Sequence, residues 1–272
     1  MRIGYQGVPG AYSEMALQKY FSEIASNQIE AIEYDKFSTL IQAVANKALD
    51  YAVVPIENST TGLISRTMDL FRYQPITAVG ELLQPVQHVL WGIKGSQVEQ
   101  LKVVYSHPEA LAQSQNFFEQ HPFISSQAFE DTAKAAQWVA QQNDPTIAAL
   151  ASQRAGELYD LIPLKEAIQT EQTNTTRFFI IRHQEFANQD GNRLIAYFET
   201  RHQPGALLKI LQTFDLFNCN LEGLNARPIP GQPFSYGFFI EVNIEHAKAS
   251  LSLLKEVLNQ AAEYVQLIGR FD

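Results

Sequence analysis

Apolar and polar residues in the first 75 positions follow patterns that switch between a period of two and a period near 3.6. These periods are typical of strands and amphipathic helices in turn. The predicted strands are Arg2–Gln6 and Tyr51–Ile56, and the predicted helices run from Ser13 to Phe21, Phe37 to Lys47 and Leu63 to Tyr73. Ser13 is expected to be the N-cap of the first helix, because its hydroxyl can accept from free backbone N–H groups.

The same alternation continues from Ile76 to Tyr159, where a second lobe is expected to begin. The predicted strands are Val86–Ile93, Leu101–Tyr105, Phe123–Phe129 and Thr146–Ala151, and the predicted helices are Pro108–Glu119, Asp131–Gln142 and Ser152–Tyr159. A later apolar run, Phe178–Ile181, is short enough to be a buried strand. Strands that alternate with helices predict parallel sheets with ligands beyond the carboxyl ends of the strands.

A polar, turn-rich stretch at 184–192 predicts a linker, and the pattern after it is different. Strands are expected at Arg193–Arg201, Leu221–Arg227, Ser235–Asn243 and Tyr264–Gly269, with one helix from Pro204 to Phe217 and a second carrying Leu254, Val257, Leu258 and Ala261 on one face. The order βαββαβ is that of the ferredoxin-like split unit. The chain is therefore predicted to have a large α/β domain and a small domain at 193–272.

Composition and charge narrow the classes of partner. The chain has 272 residues, 46% of them hydrophobic, which suffices for two domains with sizeable cores. Its net charge of −9 argues against nucleic-acid or membrane partners. The single Cys219 suits a reducing compartment, and a start that leads directly into a strand predicts a soluble, cytoplasmic protein. The six histidines lack metal-binding spacing, so no metal is expected.

Three polar clusters follow predicted strands, where such folds build their sites: Ser13, Glu57-Asn58-Ser59 and Ser106-His107. Each could also be a helix cap or turn, and the residues alone leave both interpretations open. Gly4-x-x-Gly7-x-x-Gly10 lacks the spacing of a dinucleotide fingerprint. A serine hydrolase is poorly supported, because Ser106 and His107 are adjacent and would point in opposite directions from a strand.

A fourth cluster, Thr175-Thr176-Arg177, precedes the buried run Phe178–Ile181. Threonines favour sheets and could be ordinary strand residues. An arginine in this position either pairs with an acid of the fold or binds a ligand carboxylate in bidentate geometry.

Several of these clusters together resemble the prephenate dehydratase family. The resemblance rests on Val54-Pro55-Ile56-Glu57-Asn58-Ser59-x-x-Gly62, Asn174-x-Thr176-Arg177-Phe178, Gly7-x-x-Gly10-x-Tyr12-Ser13, Ser106-His107-Pro108-x-Ala110-Leu111-Ala112-Gln113 and Asp131-Thr132-Ala133-x-Ala135-Ala136. These motifs are in the family's order and cover essentially the whole chain. Glu109 is a minor departure, because the family usually has glutamine there.

The resemblance implies a catalytic domain at 1–183 with two lobes (1–75 plus 160–183, and 76–159), like a type II periplasmic binding protein, with the site between them. The activity implied is the conversion of prephenate to phenylpyruvate with loss of CO2 and water, without a cofactor. Thr176 would stabilise or protonate the leaving hydroxyl, with Glu57 or a water as proton source, and Arg177 would bind a carboxylate or hold Thr176. The implied substrate-binding residues are Tyr12, Ser13, Asn58, Ser59, Ser106, Gln113, Asn174 and Phe178.

The small domain resembles an ACT regulatory module. Its first effector motif is Gly205-Ala206-Leu207-Leu208, and the second reads Asn225-Ala226-Arg227-Pro228 where the family usually has Glu-Ser-Arg-Pro. The resemblance implies an amino-acid effector, with L-phenylalanine expected, at a contact between subunits of a homo-oligomer, either dimer or tetramer. Arogenate dehydratase and a non-enzymatic solute-binding or amino-acid-sensing protein are the alternatives.

Overall fold

The structure is a computed structural model that describes residues 1–170, 173–186, 190–248 and 250–272. The strands are β1 (Arg2–Gln6), β2 (Glu30–Tyr34), β3 (Tyr51–Asn58), β4 (Gly62–Leu63), β5 (Ile76–Pro85), β6 (Val89–Gly92), β7 (Val103–Ser106), β8 (Ser125–Ala128), β9 (Ile147–Ala151), β10 (Ile162–Lys165), β11 (Thr175–His183), β12 (Arg193–Glu199), β13 (Asn220–Pro228), β14 (Tyr236–Asn243) and β15 (Tyr264–Phe271). The helices are α1 (Tyr12–Tyr20), α2 (Phe37–Ala45), α3 (Ser65–Asp69), α4 (Pro108–Gln113), α5 (Gln115–Gln120), α6 (Thr132–Gln142), α7 (Gln153–Leu158), α8 (Ala206–Leu216) and α9 (Leu251–Ala261). Short 3-10 helices lie at Ser26–Gln28, Val98–Gln100 and Gln184–Phe186.

The strands form two sheets. The larger has the order β13-β14-β12-β15-β5-β11-β3-β1-β2, with β4 paired to β3, and the smaller has the order β10-β6-β9-β7-β8. The expectation of parallel sheets is wrong in part, because β11 runs antiparallel to both β3 and β5. The strands β1, β2 and β3 do pair in parallel, as do β7, β8 and β9.

The sheets divide the chain at points other than the predicted lobe boundaries. Strand β5 belongs to the first sheet, between β11 and β15, so the first lobe continues about ten residues beyond the predicted boundary at residue 75. Strand β10, which the pattern did not predict, belongs to the second sheet. The second lobe therefore consists of strands from β6 to β10, and the chain returns to the first lobe at β11.

The turn before α1 explains why Ser13 is not an N-cap. Gly7 and Gly10 have positive φ angles of 108° and 92°, which glycine adopts easily, and the helix already begins at Tyr12. The free N–H of Gly10 donates instead to Glu14 Oε2 at 2.7 Å. Ser13 lies inside the first turn of α1, where its hydroxyl does not cap the helix start.

Two predicted helices are shorter than expected. Gly62 has a φ of 80°, and the turn that it forms pairs Gly62 and Leu63 with β3, so the next helix begins only at Ser65. The predicted helix Pro108–Glu119 is interrupted at Ser114, which separates α4 from α5.

A register shift in β3 determines which side chains face which side of the first sheet. Thr176 pairs with Asn58 and Arg177 with Glu57, but Phe178 pairs with Pro55, so one residue of β3 is extra at this point. The extra residue turns the side chains of Ile56 and Glu57 to the same side of the sheet. Along β11, side chains alternate between the two faces, so Thr176 and Phe178 point to one face and Arg177 and Phe179 to the other.

The small domain is the predicted βαββαβ unit, with α8 and α9 covering one face of four antiparallel strands. Its other face packs on the first lobe, because Tyr197, Phe239 and Phe271 share one buried core with Phe71 and Phe179. A pairing of β15 with β5, between Gly269 and Ala78, joins the two parts into one sheet. Within the predicted linker at 184–192, residues 187–189 lie outside the described residues.

Candidate functional site

A cavity of about 550 Å³ opens between the two lobes. Both lobes contribute to its lining, with residues after β1 and β3 facing residues after β7 and β8. Seven of the predicted site residues line it: Tyr12, Ser13, Asn58, Gln113, Asn174, Thr176 and Phe178. The volume suits a small organic ligand.

Thr176 has a defined orientation in this cavity. The Asn58 Nδ2 group donates to Thr176 Oγ1 at 3.0 Å and to Asn174 Oδ1 at 2.7 Å. The Asn58 amide cannot turn over, because its Oδ1 accepts from the backbone N–H groups of Thr60 and Thr61 at 3.0 and 3.3 Å. Since Thr176 Oγ1 accepts from Asn58, its own proton is available to donate into the cavity.

Gln113 connects this arrangement to the second lobe. Its Oε1 accepts from Asn174 Nδ2 at 2.7 Å, and its Nε2 donates to Thr60 Oγ1 at 3.1 Å. His88 Nε2 lies 3.2 Å from the same Oε1. A continuous set of amide hydrogen bonds thus crosses the cleft and ends at Thr176.

His88 is a cavity residue that the sequence pattern did not indicate. It is 3% exposed, and burial lowers its pKa to about 4 despite the hydrogen bond with Gln113. The ring is therefore neutral near pH 7, and its Nε2–H donates to Gln113 Oε1. Tyr12 OH lies 3.3 Å from the other ring nitrogen and donates to the Gln87 carbonyl at 2.5 Å.

Lowering the pH from 7 to 5 is expected to destabilise the protein partly through His88. Its folded-state pKa of about 4 lies below the usual value of 6.5, so the unfolded state binds the proton first. The stability that the neutral ring contributes is complete above pH 6.5 and is lost as the pH falls towards 4. Between pH 7 and pH 5 this residue alone should cost about 2 kcal/mol of unfolding free energy.

Denaturant titrations of the wild type and of His88→Gln at both pH values would measure this difference. Glutamine carries no proton-binding group, so the variant should lose about 2 kcal/mol less than the wild type over the same interval. Equal losses in the two proteins would mean that His88 does not titrate in this range.

Two further titratable groups line the cavity at helix starts. Burial raises the pKa of Asp131, although its carboxylate accepts from the N–H groups of Ala133 and Lys134 at 2.8 and 3.1 Å as the N-cap of α6. Burial lowers the pKa of His107, whose Nδ1 accepts from the N–H of Glu109 at 3.2 Å. The ring therefore presents Nε2 to its surroundings as the protonated nitrogen.

Glu57 and Arg177 do not line this cavity. Of the roles that the sequence left open for Arg177, pairing with acids of the fold is the one its contacts favour. The Arg177 guanidinium is on the opposite face of the sheet, where Nη1 and Nη2 donate to the two carboxylate oxygens of Glu241 at 3.0 and 2.9 Å. It also contacts Glu81 at 2.6 Å and Glu57 at 3.5 Å. Burial opposes the charged form, but the hydrogen bonds to Glu241 and Glu81 outweigh it and raise the pKa of Arg177. Arg177 thus pairs with acids of the fold.

Ser59 and Ser106 also stay outside the cavity lining. Ser59 Oγ accepts from the Thr175 N–H at 3.0 Å and donates to the Thr173 carbonyl at 3.2 Å, so it connects the turn after β3 to the start of β11. Ser106 is fully buried and donates to the Leu150 carbonyl at 2.7 Å. Both hydroxyls have structural partners.

The small domain has its own cavity, of about 360 Å³. The predicted residues Gly205, Ala206, Leu207 and Leu208 line it. Asn225, Ala226, Arg227 and Pro228 do not, because Arg227 is turned towards the first lobe and forms hydrogen bonds of 3.0 and 2.7 Å with Asp69.

Sequence reasoning missed several residues of the main cavity, above all Arg66 and His88. Neither belongs to a polar cluster at a strand end, so the pattern gave no signal for them. Asp131 and Thr132 form a predicted helix start, and their place after a predicted strand could have indicated a site. Among the described residues no group of three His, Cys, Asp or Glu side chains could hold a metal ion, and no described helix is long and apolar enough to cross a membrane.

A ligand-sized cleft between two α/β lobes, lined by amides and a hydroxyl and joined to a βαββαβ domain, defines the class as a two-lobed α/β protein with an added small domain. The family model described as "Prephenate dehydratase" matches residues 3–186. The chain therefore belongs to the prephenate dehydratase family.

Curated relatives agree with this assignment. The chain is 33% identical over 271 residues to the bifunctional chorismate mutase/prephenate dehydratase of Enterobacter agglomerans, covering 99% of this chain and 68% of that protein. It is also 33% identical to the chloroplastic arogenate dehydratase/prephenate dehydratase 2 of Arabidopsis thaliana, covering 100% of this chain and 72% of that protein. These names indicate a dehydratase, and among the relatives they mention prephenate and arogenate as substrates.

Solved structures have the same fold over the whole chain, which confirms the predicted α/β class with its C-terminal βαββαβ unit. The prephenate dehydratase of Staphylococcus aureus has a TM-score of 0.81 at 29% identity, with full coverage of both chains. GqqA, described as a quorum-quenching acylase, has a TM-score of 0.85 at 28% identity, covering 100% of this chain and 97% of that one. The Arthrobacter aurescens prephenate dehydratase, solved with L-Phe, has a TM-score of 0.89 at 22% identity, covering 100% and 90%.

Proposed function

We propose that the chain converts prephenate to phenylpyruvate with loss of CO2 and water. The observation that carries this proposal is the Thr176 hydroxyl, which accepts from Asn58 at 3.0 Å and faces the cleft with its proton free. The departing hydroxyl of the substrate becomes negative as its bond to carbon breaks. A donor fixed in advance stabilises that charge without having to reorient.

Aromatisation of the ring supplies most of the driving force, so the reaction needs no cofactor. Glu57, expected as a proton source, is on the other face of the sheet and contacts Arg177. In our proposal a water molecule or an acid of the cavity supplies the proton, and Thr176 stabilises the leaving oxygen. The start of α1, at Tyr12 and Ser13, borders the cavity and has no side-chain cap, so its backbone N–H groups can receive a substrate carboxylate.

Arogenate is the second candidate substrate, because relatives about as similar as the prephenate dehydratases are named arogenate dehydratases. The two substrates differ by a keto or an amino group on the side chain, far from the hydroxyl that departs. The same Thr176 chemistry therefore serves both.

An acylase activity, as described for GqqA, is less well supported by this site. Acyl transfer by a threonine needs a base that removes the hydroxyl proton. Among the described residues, Thr176 Oγ1 has the Asn58 amide as its hydrogen-bond partner and neither a histidine nor a carboxylate. An amide that donates to the oxygen cannot act as that base.

We propose further that the small domain is an ACT module that binds an aromatic amino acid, with L-phenylalanine as the expected effector. The cavity beside Gly205–Leu208 supports this, since Phe238 and Tyr236 offer an aromatic lining and Arg201 offers a cation for a carboxylate. The Arthrobacter protein of the same fold was solved with L-Phe. We also propose that the protein is cytoplasmic and forms a homo-oligomer, either a dimer or a tetramer.

Rates measured with prephenate and with arogenate, each with and without L-phenylalanine, test the proposed function. We expect phenylpyruvate from prephenate with a higher kcat/KM than arogenate turnover, and a change in kcat or KM when L-phenylalanine is added. A preference for arogenate would select the second candidate. Absence of turnover of either substrate would overturn the dehydratase assignment.

A further inference from the structure

Binding of a dianion in the main cavity requires a cation, and Arg177 does not supply one there. Among the residues that the structure describes, Arg66 is the only lysine or arginine that lines the cavity. The chain has a net charge of −9, and Glu109 and Asp131 line the same space. A doubly negative ligand therefore depends on this local positive charge, because the surrounding field is negative.

The Arg66 side chain is free to meet a ligand. It is exposed, its guanidinium lies 5.6 Å above the Phe37 ring, and no described carboxylate lies within ion-pair distance of it. The ring orients the guanidinium without neutralising its charge. Its positive charge reaches His107 on the far side of the cleft, where it adds to the effect of burial in lowering the pKa of that ring.

Helix α3, which carries Arg66 near its N-terminal end, contacts the small domain at its C-terminal end. Asp69, one turn along α3, accepts from Arg227 Nε and Nη2 at 3.0 and 2.7 Å. Arg72, which contacts Asp69 at 3.1 Å, donates to the Pro228 carbonyl at 2.8 Å. Two arginines, Arg72 and Arg227, thus join the C-terminal end of α3 to strand β13.

Resting on the proposed dehydratase function, we propose that Arg66 binds a carboxylate of the substrate and that Arg227 is its positioning residue, acting through Asp69. The second predicted effector motif, Asn225–Pro228, then acts on the cleft indirectly, because it sets the position of the Arg66 guanidinium. A movement of β13 would therefore change the affinity for substrate more than the rate of the chemical step at Thr176.

Steady-state kinetics of Arg66→Gln, Arg66→Lys and a control, Arg2→Gln, test the first part. Removing a charge-assisted hydrogen bond to a ligand corresponds to a rise in KM of roughly 10- to 100-fold, with kcat changed much less. Lysine should recover part of the affinity. Arg2 is an exposed guanidinium far from the cavity that pairs with Glu30, and its removal should leave KM unchanged. A wild-type KM in Arg66→Gln, in an enzyme that still turns over its substrate, would overturn the proposal and leave the dehydratase function standing.

A double-mutant cycle tests the second part. Arg227→Gln should raise KM in the wild-type background, and Arg227→Lys should raise it less. Arg227→Gln should have little further effect when Arg66 is already glutamine, because a positioning residue can act only through the group that it positions. Equal effects of Arg227→Gln in both backgrounds would reject the link between the two arginines. Thermal unfolding of each variant would separate a general loss of stability from this specific loss of affinity.

Discussion

Replacing Thr176 with alanine is expected to lower kcat by about 10²- to 10³-fold, the usual result of removing one well-placed donor to a developing oxyanion. Thr176 is 9% exposed and its hydroxyl is oriented by Asn58, so the donor is fixed in position before the substrate binds. KM should change much less than kcat, because the interaction strengthens as the hydroxyl departs. Rates of phenylpyruvate formation from prephenate would measure both constants.

Thr175→Ala is the matched control, since Thr175 precedes Thr176 on β11 and does not line the cavity. Within the described part of the chain its hydroxyl has one long hydrogen bond, to the Thr173 carbonyl at 3.5 Å, so near wild-type rates are expected. Thr176→Ser keeps the hydroxyl and should retain most of the activity. Full activity in Thr176→Ala, with an unchanged melting temperature, would remove this residue from the chemistry.

Replacing Arg177 with glutamine is expected to reduce stability far more than substrate binding. Its side chain is 13% exposed and contacts Glu57, Glu81 and Glu241, which would lose their common cation. Removing one partner of a buried ion pair costs about 3–5 kcal/mol, and we expect a loss near the lower end of that range because this network is only partly buried. Denaturant unfolding would measure this loss, and KM of the folded enzyme should stay near the wild-type value.

Arg2→Gln is again a suitable comparison, because its ion pair with Glu30 is exposed, with side chains 53% and 68% accessible. Such pairs contribute about 0–1 kcal/mol. The double variant Arg177→Gln/Glu241→Gln should regain part of the stability, since one unpaired carboxylate is removed with the cation. A stable Arg177→Gln with a greatly raised KM would return this arginine to the substrate site.

Strand and helix types were predictable over most of the chain, because long periodic segments such as α6 and α8 carry a clear pattern. The sequence pattern predicted no strand at Ile76–Pro85 and assigned these residues to the second lobe, whereas they form β5. Only the pairing with β11 and β15, formed by residues distant in sequence, assigns it to the first sheet. Local pattern therefore could not fix the boundaries between the two lobes.

Which predicted site residues reach the cleft depends on the face of β3 or β11 from which each side chain projects. Strict alternation along β11 already implies that only one of Thr176 and Arg177 can point into a given cleft. The sequence did not indicate which one, and the extra residue in β3 that sends Glu57 to the same side as Arg177 has no sequence signal of its own. Arg66 was missed for a different reason: Gly62 delays the helix start, and this brings Arg66 to the mouth of the cleft.

The pairing of Gly269 with Ala78 makes the small domain the neighbour of β5 in one sheet. A Cβ on residue 269 would lie 2.7 Å from the Ala78 carbonyl oxygen, so the two backbones approach too closely for a larger side chain. A protein ending after residue 183 would leave that strand edge open and the apolar surface around Phe71 and Phe179 exposed to water. Such a fragment would tend to self-associate, so the small domain cannot simply be cut away to leave an isolated, well-behaved two-lobed protein.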